Sequence, residues 1–163
     1  MHLTVRDLNR VWRGVKSYMG NETIGSIVRT KGNGISSVAP TATVFDAVAM
    51  MAEKGLAAVL VMKSDVLVGI LSVKDYGREV VLKDRSSKDV RVEEIMTTPV
   101  ITTTPDRTVG TELVVMTSKS IRHLPVLANG RVVGVVSMAD LARSLVSEQA
   151  FTIDELRKYV GQK

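Results

Sequence analysis

An ungapped internal repeat constrains the fold of this chain more than any other feature of its sequence. Residues 40–81 align with residues 105–146 at a constant offset of 65, and upstream ISSVAP (35–40) aligns with VITTTP (100–105). The identities run along the whole alignment: Pro40 and Pro105, Thr43 and Thr108, Met51 and Met116, Gly69 and Gly134, Ser72 and Ser137, Asp75 and Asp140, and Arg78 and Arg143. A repeat of this length predicts two copies of one fold unit.

The first part of each copy predicts a short strand followed by a helix. ISSV and VITT contain the β-branched residues that are typical of strands. Thr43 and Thr108 are suited to cap the helix that follows, and Asp46 predicts a capping box in the first copy. Gly55 can end that helix with a positive φ. The predicted apolar stripe of the first helix comprises Val44, Val48, Met51 and Ala52.

The second part of each copy predicts two strands and a last helix. A turn separates two apolar runs, and in the second copy this turn is Asn129-Gly130, a pair that favours the positive φ values of a tight hairpin. The last helix begins at Ser72 or Ser137. Runs such as VVGVV predict strands that are covered on both faces. The sequence therefore predicts a mixed α/β (α+β) fold of two β-α-β-β-α units, packed about a pseudo-twofold axis.

The predicted domain boundaries follow from the repeat. They are an N-terminal segment at 1–22, a first unit at 23–82, a polar linker at 83–91, a second unit at 92–147 and a C-terminal segment at 148–163. Within the last segment, FTIDELRKYV has the apolar periodicity of an amphipathic helix. We therefore expect flanking terminal helices that pack on the module or on a partner.

The composition argues against several classes of protein. The chain has no cysteine, and its two histidines, His2 and His123, are too few for a zinc or iron site. No apolar run reaches the roughly 18 residues of a membrane span, and the first residues lack the apolar run of a secretory signal. We therefore expect a cytoplasmic protein without a metal centre.

The net charge of +5 has two interpretations. It can serve solubility alone, or it can attract an anionic partner. The cations are scattered along the chain, without the clustered basic face that is expected of an extended nucleic-acid surface. A small phosphorylated ligand would need only a few of them.

The motif that the two copies share, GILSVKDYGR (69–78) and GVVSMADLAR (134–143), also has two interpretations. A Ser-x-x-Asp after a strand is a capping box, and its role can end with starting the helix. Alternatively, the amino end of this helix binds an anion, and the serine and aspartate bind the hydroxyls of a ribose. Arg78 and Arg143 would then reach phosphate oxygens.

The two copies differ where the middle strand begins. The second copy has Arg122 and His123 in IRHLPV, whereas the first has Ala57 and Ala58 in LAAVLV. Because this point should lie near the start of the last helix, both polar side chains would face the motif aspartate and could bind phosphate. As alternatives, Arg122 is a surface cation and His123 a histidine at the edge of the core. For its own cations the first copy would depend on Lys74, Arg78 or Lys31.

The duplicated unit, the Gly-apolar-apolar-Ser-x-x-Asp motif in both copies and IRHLPV in the second resemble a tandem CBS (cystathionine β-synthase) domain pair, or Bateman module. The resemblance covers about residues 24–147 and is close to stand-alone bacterial CBS-domain proteins. It implies a regulatory homodimer without catalytic activity, which signals to a partner protein. It also implies an adenine-nucleotide ligand (AMP, ADP, ATP or NAD, or else S-adenosylmethionine) in the clefts of the pair.

The resemblance further assigns the ligand contacts. The motif serines and aspartates would bind ribose, the cations would bind phosphate, and residues in or before the first and middle strands would contact adenine. The implied residues are Ser137, Asp140, Arg122, His123, Ile121, Val100, Thr102 and Arg143 in the second copy, and Ser72, Asp75, Lys74, Arg78, Ile35, Ser37 and Leu56 in the first. The first copy departs from the pattern at its two alanines, so we expect unequal sites.

Two other functions are compatible with parts of the sequence. A ligand-independent dimeric scaffold would use the same sheets and helices as interaction surfaces. An enzyme would need a nucleophile with its base, paired carboxylates or a metal cluster, and the sequence contains no evident set of this kind.

Overall fold

The chain folds into alternating short helices and strands, as the repeat predicts. The structure, a computed structural model, describes residues 22–32 and 34–147. Its elements are α1 (Ile24–Lys31), β1 (Ser37–Val38), α2 (Val44–Lys54), β2 (Ala58–Lys63), β3 (Val66–Ser72), α3 (Val73–Glu79), α4 (Val109–Ser118), β4 (His123–Ala128), β5 (Arg131–Ser137) and a helix at 138–147, here α5, with 3-10 turns at Val81–Lys83 and Val92–Glu94. The mixed α/β class is confirmed. The predicted C-terminal helix and all but the last residue of the predicted N-terminal segment lie outside the described residues.

Two compact units divide the described chain, and each draws on both sequence repeats. The Asp140 unit comprises 22–32, 103–124 and 136–147, and the Asp75 unit comprises 34–102 and 125–135. None of the described helices is long and apolar enough to span a bilayer.

β1, β2 and β3 form the sheet of the Asp75 unit. β1 runs parallel to β2, with Ser37 opposite Leu60, and β2 runs antiparallel to β3, with Ala58 opposite Ser72. This pairing brings the amino end of α3 to the end of the sheet where β2 begins. The core of this unit is a cluster of buried residues from the sheet and the segments packed on it: Val44, Ala47, Met51, Val59, Val61, Leu71, Val80, Val90, Val92 and Ile95.

Helix α2 begins and ends at the predicted residues. The Thr43 hydroxyl accepts a hydrogen bond from the Asp46 amide at 3.1 Å, and Gly55 ends the helix with a φ of 63°. The predicted capping box is only half formed, because the Asp46 carboxylate accepts from the Thr43 hydroxyl (2.6 Å) rather than from its amide. In the predicted stripe Ala52 is exposed, and Ala47 is buried in its place because it lies one turn after the first buried residue of the helix.

The segment predicted as a polar linker contributes to the core. Val90, near its end, and Val92, just after it, are buried at 3% and 0% exposure, and the Val44 amide donates to the Val90 carbonyl at 2.9 Å. Two valines among charged residues show no periodicity, so the sequence pattern could not indicate this packing.

The hairpin of β4 and β5 has the predicted turn. Asn129 and Gly130 have φ values of 51° and 75°, as a tight hairpin between right-twisted strands requires. The first copy makes the same connection with Ser64 and Asp65, at 48° and 64°. Short polar residues tolerate this conformation better than other side chains do.

The prediction of a strand in VITT (100–103) is wrong. Of residues 100–103, only Thr103 takes part in β pairing, as an isolated bridge. In the first copy the Leu60 amide donates to the Ser36 carbonyl at 3.1 Å and joins β1 to β2. The equivalent of Leu60 in the second copy is Pro125, which has no amide hydrogen, so the corresponding bond cannot form.

Two segments, here called the leaders, each bind the repeat that does not follow them. The first leader (22–31) packs on the second repeat within the Asp140 unit, and the second leader (90–96) packs on the first repeat within the Asp75 unit. Each leader makes three backbone hydrogen bonds, and the three are equivalent in the two units. In the Asp140 unit they are Val109 N to Glu22 O (3.0 Å), Ile24 N to Arg107 O (2.8 Å) and Gly25 N to Pro105 O (2.9 Å). In the Asp75 unit they are Val44 N to Val90 O, Val92 N to Ala42 O and Glu93 N to Pro40 O (2.9 Å each). The leaders align at an offset of 68 rather than 65, so the ungapped repeat does not include them.

Candidate functional site

Both motif aspartates lie in the first turn of a helix and are almost fully buried. Asp75 Oδ2 accepts from the amide and the hydroxyl of Ser72 at 3.0 and 2.6 Å, and the Asp75 amide donates back to the hydroxyl at 3.3 Å. Asp140 Oδ2 accepts from the amide and the hydroxyl of Ser137, both at 2.8 Å, and its amide donates back at 3.2 Å. The capping box is therefore present in both copies.

The arginine one turn later also binds each aspartate. Arg78 Nη2 donates to Asp75 Oδ1 at 3.0 Å, and Arg143 Nη2 donates to Asp140 Oδ1 at 2.5 Å. Both arginine side chains are more than half exposed, at 54% and 73%. Each guanidinium therefore pairs with the motif carboxylate of its own copy, and its long exposed side chain can turn toward a ligand.

Lys31, the last residue of α1, is a further partner of Asp140. Its Nζ lies 2.7 Å from Asp140 Oδ2. The sequence suggested Lys31 as a cation for the first copy, whereas the structure brings it to the aspartate of the second. The repeat could not indicate this contact, because Lys31 lies outside the aligned residues and is separated from Asp140 by 109 positions.

The expectation that the middle strand begins beside the last helix is confirmed in both units. The Val73 amide donates to the Ala57 carbonyl at 3.0 Å, and the equivalent Met138 amide donates to the Arg122 carbonyl at 2.9 Å. Arg122 and His123 therefore lie beside the amino end of α5. In the Asp75 unit the same position is occupied by alanine, which offers no charge.

The charges of the Asp140 unit act on His123. Burial is the main cause that lowers the pKa of His123 below its ordinary value, the positive charges of Lys31 and Arg122 lower it further, and Asp140 opposes them. The imidazole is therefore predominantly neutral at neutral pH and becomes easier to protonate when an anion approaches.

Asp140 stays ionised despite its burial. Burial alone would raise the pKa of this carboxyl, but hydrogen bonds from Lys31 and from Ser137 outweigh it and lower the pKa to about 2. A carboxylate in this state acts only as a hydrogen-bond acceptor. It is suited to bind hydroxyl groups.

The predicted residues of the first copy lie around the end of the β1–β3 sheet where β1 and β2 begin and β3 ends. Ile35 precedes β1 and Leu56 precedes β2, and both expose their apolar side chains, at 36% and 37%. Ser37 is half-buried in β1, and Lys74 is exposed in the first turn of α3. These residues and the Ser72–Asp75 pair belong to the same unit.

The predicted residues of the second copy are divided between the units. Ile121, half-buried, lies just before β4 in the Asp140 unit, and the Ile121 amide donates to the Met116 carbonyl at 2.9 Å. Val100 and Thr102 belong to the Asp75 unit and do not lie in a strand. The resemblance had assigned Val100 and Thr102 to the first strand of the second copy and Ile121 to the start of its middle strand.

Thr103 is a candidate ligand contact that the sequence reasoning missed. Its hydroxyl is buried and has no hydrogen-bond partner among the described residues. A buried hydroxyl without a partner costs about 1–3 kcal/mol, so a ligand that bonds it would gain affinity. Thr103 lies in a run of three threonines, and nothing in the sequence distinguishes it from its neighbours.

Lys31 and Arg143 bind the carboxylate of Asp140, and Arg122 and His123 lie beside the same helix end. We call these five residues the Asp140 cluster. Its positive charges favour an anion, while the carboxylate accepts hydroxyl protons. Within 22–32 and 34–147 there is no group of acidic, histidine or cysteine side chains that could hold a metal ion. The cluster therefore fits a ligand that combines hydroxyls with negative charge.

Comparison with known proteins finds a matching family model and similar chains. The model of the CBS domain matches twice, at residues 24–80 and 92–147. The Arabidopsis thaliana protein named CBS domain-containing protein CBSX3, mitochondrial, is 33% identical over 147 residues, which cover 85% of this chain and 71% of the relative. CBS domain-containing protein YhcV of Bacillus subtilis is 25% identical over 127 residues, covering 78% and 90%.

Solved structures have the same fold. A candidate signal-transduction protein with CBS domains from Burkholderia ambifaria is 41% identical, covers 78% of this chain and 96% of its own, and superimposes with a TM-score of 0.75. The CBS domain pair of protein MJ0100, solved with 5'-methylthioadenosine and S-adenosyl-L-methionine, superimposes with a TM-score of 0.70, covering 79% and 99%. It is 21% identical, so this second likeness concerns the fold alone.

Proposed function

This chain belongs to the CBS-domain family, and we propose that it is a regulatory module that binds an adenine nucleotide and passes a conformational change to a partner. Proteins with CBS pairs act in regulation and signal transduction. The observation that carries the proposal is the Asp140 cluster, in which a buried, ionised carboxylate lies among cations.

The carboxylate of Asp140 is the proposed ribose acceptor. It is ionised, so it can accept hydrogen bonds from both hydroxyls of a ribose. The hydroxyl of Ser137, at the same helix end, can serve as a further partner. Asp75 and Ser72 have the same geometry in the first copy, where the exposed Ile35 and Leu56 offer an apolar surface for a purine.

The cations of the Asp140 cluster are the proposed phosphate site. Arg122 can hold a phosphate through two parallel hydrogen bonds, and His123 can donate one more. The first copy has alanine at both positions, so we propose that it binds phosphate less well. AMP, ADP, ATP and NAD all present a ribose next to a phosphate and are the candidate ligands.

The regulatory mechanism requires a difference in affinity. A nucleotide shifts the protein between two arrangements only if it binds one of them more tightly, and a ligand with equal affinity for both shifts nothing. A partner protein would read the arrangement that the nucleotide favours. Reaction chemistry has no part in this proposal.

A thermal-shift screen with AMP, ATP, NAD and S-adenosylmethionine tests the proposal. A ligand at 100 times its dissociation constant stabilises the folded protein by about 2.7 kcal/mol. For a chain of this length we expect the melting temperature to rise by roughly 5–10 °C. If none of these compounds raises it and calorimetry detects no heat of binding, the chain is a ligand-independent scaffold instead.

We expect the pKa of His123, followed by NMR, to rise when a phosphorylated nucleotide binds, because an added negative charge favours the imidazolium. Before ligand is added, this pKa should lie below the usual 6.5. By linkage, nucleotide affinity should increase as the pH falls toward the pKa of the free protein. The charged groups that act on His123 are Lys31, Arg122 and Asp140, and Asp140 stays ionised throughout this range.

The chain has two histidines, so a His2→Gln variant assigns the His123 signal without ambiguity. Adenosine, which has no phosphate, is the matched ligand and should leave the pKa almost unchanged. An equal rise with adenosine and AMP would contradict a phosphate contact at His123.

A further inference from the structure

Three exposed apolar side chains lie at the same end of the sheet as Asp75. Ile35 precedes β1 and Leu56 precedes β2, and the pairing of β2 with β3 brings Val73, the first residue of α3, to the same end. These side chains are 36%, 37% and 49% exposed, whereas their equivalents in the second copy are half-buried: Val100, Ile121 and Met138. We call Asp75 and the three exposed residues the Asp75 site, and all four belong to the Asp75 unit. The apolar surface is suited to the uncharged parts of a ligand.

The arginine beside this site is bound by two carboxylates. Arg78 Nη2 donates to Asp75 Oδ1 at 3.0 Å, and Arg78 Nε donates to Glu79 Oε1 at 2.8 Å. Lys83 Nζ donates to the other oxygen of the Glu79 carboxylate at 2.5 Å. Hydrogen bonds from Lys83 and from Arg78 lower the pKa of Glu79, which is therefore ionised at neutral pH. Two acidic and two basic side chains thus form one chain of ion pairs without net charge.

The second copy does not repeat this chain of ion pairs. The residue equivalent to Glu79 is Ser144, and α5 contains no acidic residue other than Asp140. The Ser144 hydroxyl donates to the carboxylate of Glu22. Arg143, which is 73% exposed, binds Asp140. An anion can therefore recruit the arginine of the second copy by replacing one ion pair on its helix, whereas in the first copy it must replace two.

The first copy also lacks the proposed phosphate contacts of the second. Ala57 and Ala58 stand where the second copy has its arginine and histidine. Lys74, exposed in the first turn of α3, adds a positive charge, but a lysine cannot form the two parallel hydrogen bonds of an arginine. A phosphate bound through Arg78 would also meet the repulsion of the two carboxylates that hold this guanidinium. The Asp75 site therefore disfavours a phosphate while it keeps the acceptor for ribose.

We propose that the Asp75 site binds an uncharged adenosine compound, one without a phosphate on its ribose, while the Asp140 cluster binds the nucleotide. This inference rests on the proposed function and extends it to the ligand class of the first copy. The carboxylate accepts the ribose hydroxyls, the apolar side chains contact the uncharged parts of the ligand, and the two carboxylates on Arg78 exclude phosphate. Because the site forgoes charge-assisted bonds to a phosphate, it binds its ligand more weakly than the Asp140 cluster binds AMP.

A competition experiment in the wild-type protein tests this division of ligands. Adenosine is titrated by isothermal titration calorimetry into protein that is already saturated with AMP. We expect adenosine still to bind, because AMP occupies mainly the Asp140 cluster. Asp75→Ala should weaken this remaining binding event roughly tenfold or more, the scale of an orphaned buried hydroxyl.

Two variants that give the first copy residues of the second test the cause of the selectivity. Glu79→Ser removes one of the two carboxylates from Arg78, and Ala57→Arg introduces the arginine of the second copy at an exposed position. In each variant, the affinity of the Asp75 site for AMP should rise roughly tenfold relative to its affinity for adenosine. Glu94→Ser is the matched control, because it frees Arg85 of the same unit from a carboxylate at 2.5 Å, and it should keep the wild-type ratio.

The outcomes separate this inference from the proposed function. If saturation with AMP prevents adenosine from binding, the first copy has no separate ligand class and the inference is overturned. It is also overturned if neither Glu79→Ser nor Ala57→Arg raises the AMP-to-adenosine ratio above that of Glu94→Ser. In both cases AMP still binds the wild type and the proposed function stands. Failure of the wild type to bind either compound overturns the proposed function and this inference with it.

Discussion

Replacing Asp140 by alanine should weaken the binding of adenine nucleotides by about 1–3 kcal/mol, or roughly 5- to 150-fold. The expected cause is the loss of the acceptor for two ribose hydroxyls, which would be left without partners in the bound state. AMP and adenosine present the same ribose to this carboxylate, so the two compounds should lose similar amounts of affinity. Isothermal titration calorimetry with both compounds measures the two losses.

The duplicated sequence supplies the matched control for this experiment. Asp75→Ala removes the equivalent carboxylate, with the same capping box and the same arginine partner, from the copy that lacks Arg122 and His123. If the Asp140 cluster is the principal site, Asp75→Ala should have the smaller effect on the tightest binding event. Asp140→Asn, which retains an oxygen for the Ser137 bonds, tests whether the loss comes from an altered helix end. Wild-type affinity of Asp140→Ala for AMP, ATP and NAD alike would show that this carboxylate does not bind the ligand.

The repeat predicted the local geometry of the site because that geometry is encoded within a few residues. Ser137 and Asp140 are three positions apart, and a capping box depends only on this spacing and on the strand-to-helix junction. The same holds for the hairpin at Asn129 and Gly130. The position of Arg122 near the start of α5 could be predicted from the order of the elements alone, because a hairpin returns the chain to the point where its first strand began.

The features that the sequence pattern missed depend on contacts between distant segments. Pro125 removes the bond that would have made VITT a strand, and a proline in an apolar run can be interpreted in this way only when the partner strand is known. Val90 and Val92 are buried because the second leader packs on α2, which no periodicity reveals. Lys31 reaches Asp140 because the first leader packs on the second repeat, and the aligned repeat contains no signal for this contact.

The largest effect on stability is expected from Met116→Ala, which should lower the free energy of unfolding by about 2–5 kcal/mol. Met116 is fully buried in α4, and its carbonyl accepts the Ile121 amide that leads the chain toward Arg122 and His123. Truncation leaves a cavity that the surrounding residues fill only in part. Chemical denaturation measures the loss.

Two variants test whether burial is the cause. Met51→Ala removes the equivalent buried side chain from the other copy, at 1% exposure, and should cost a similar amount. Val114→Ala shortens a partly exposed residue of the same helix (37%) and should stay within about 0.5 kcal/mol of the wild type. A Met116→Ala protein as stable as the Val114→Ala protein would contradict the assignment of Met116 to the core.

The same variant links stability to ligand binding. AMP at 100 times the dissociation constant of the variant should restore about 2.7 kcal/mol, because the ligand binds the folded state and not the unfolded chain. Met116→Ala should therefore regain much of its lost stability in AMP, and it should regain far less in adenosine at the same concentration, since a nucleoside has no phosphate for the cations of the Asp140 cluster to bind. Equal recovery with the two compounds would argue against a phosphate contact in the Asp140 cluster. Recovery with neither, in a variant that remains folded, would argue against nucleotide binding itself.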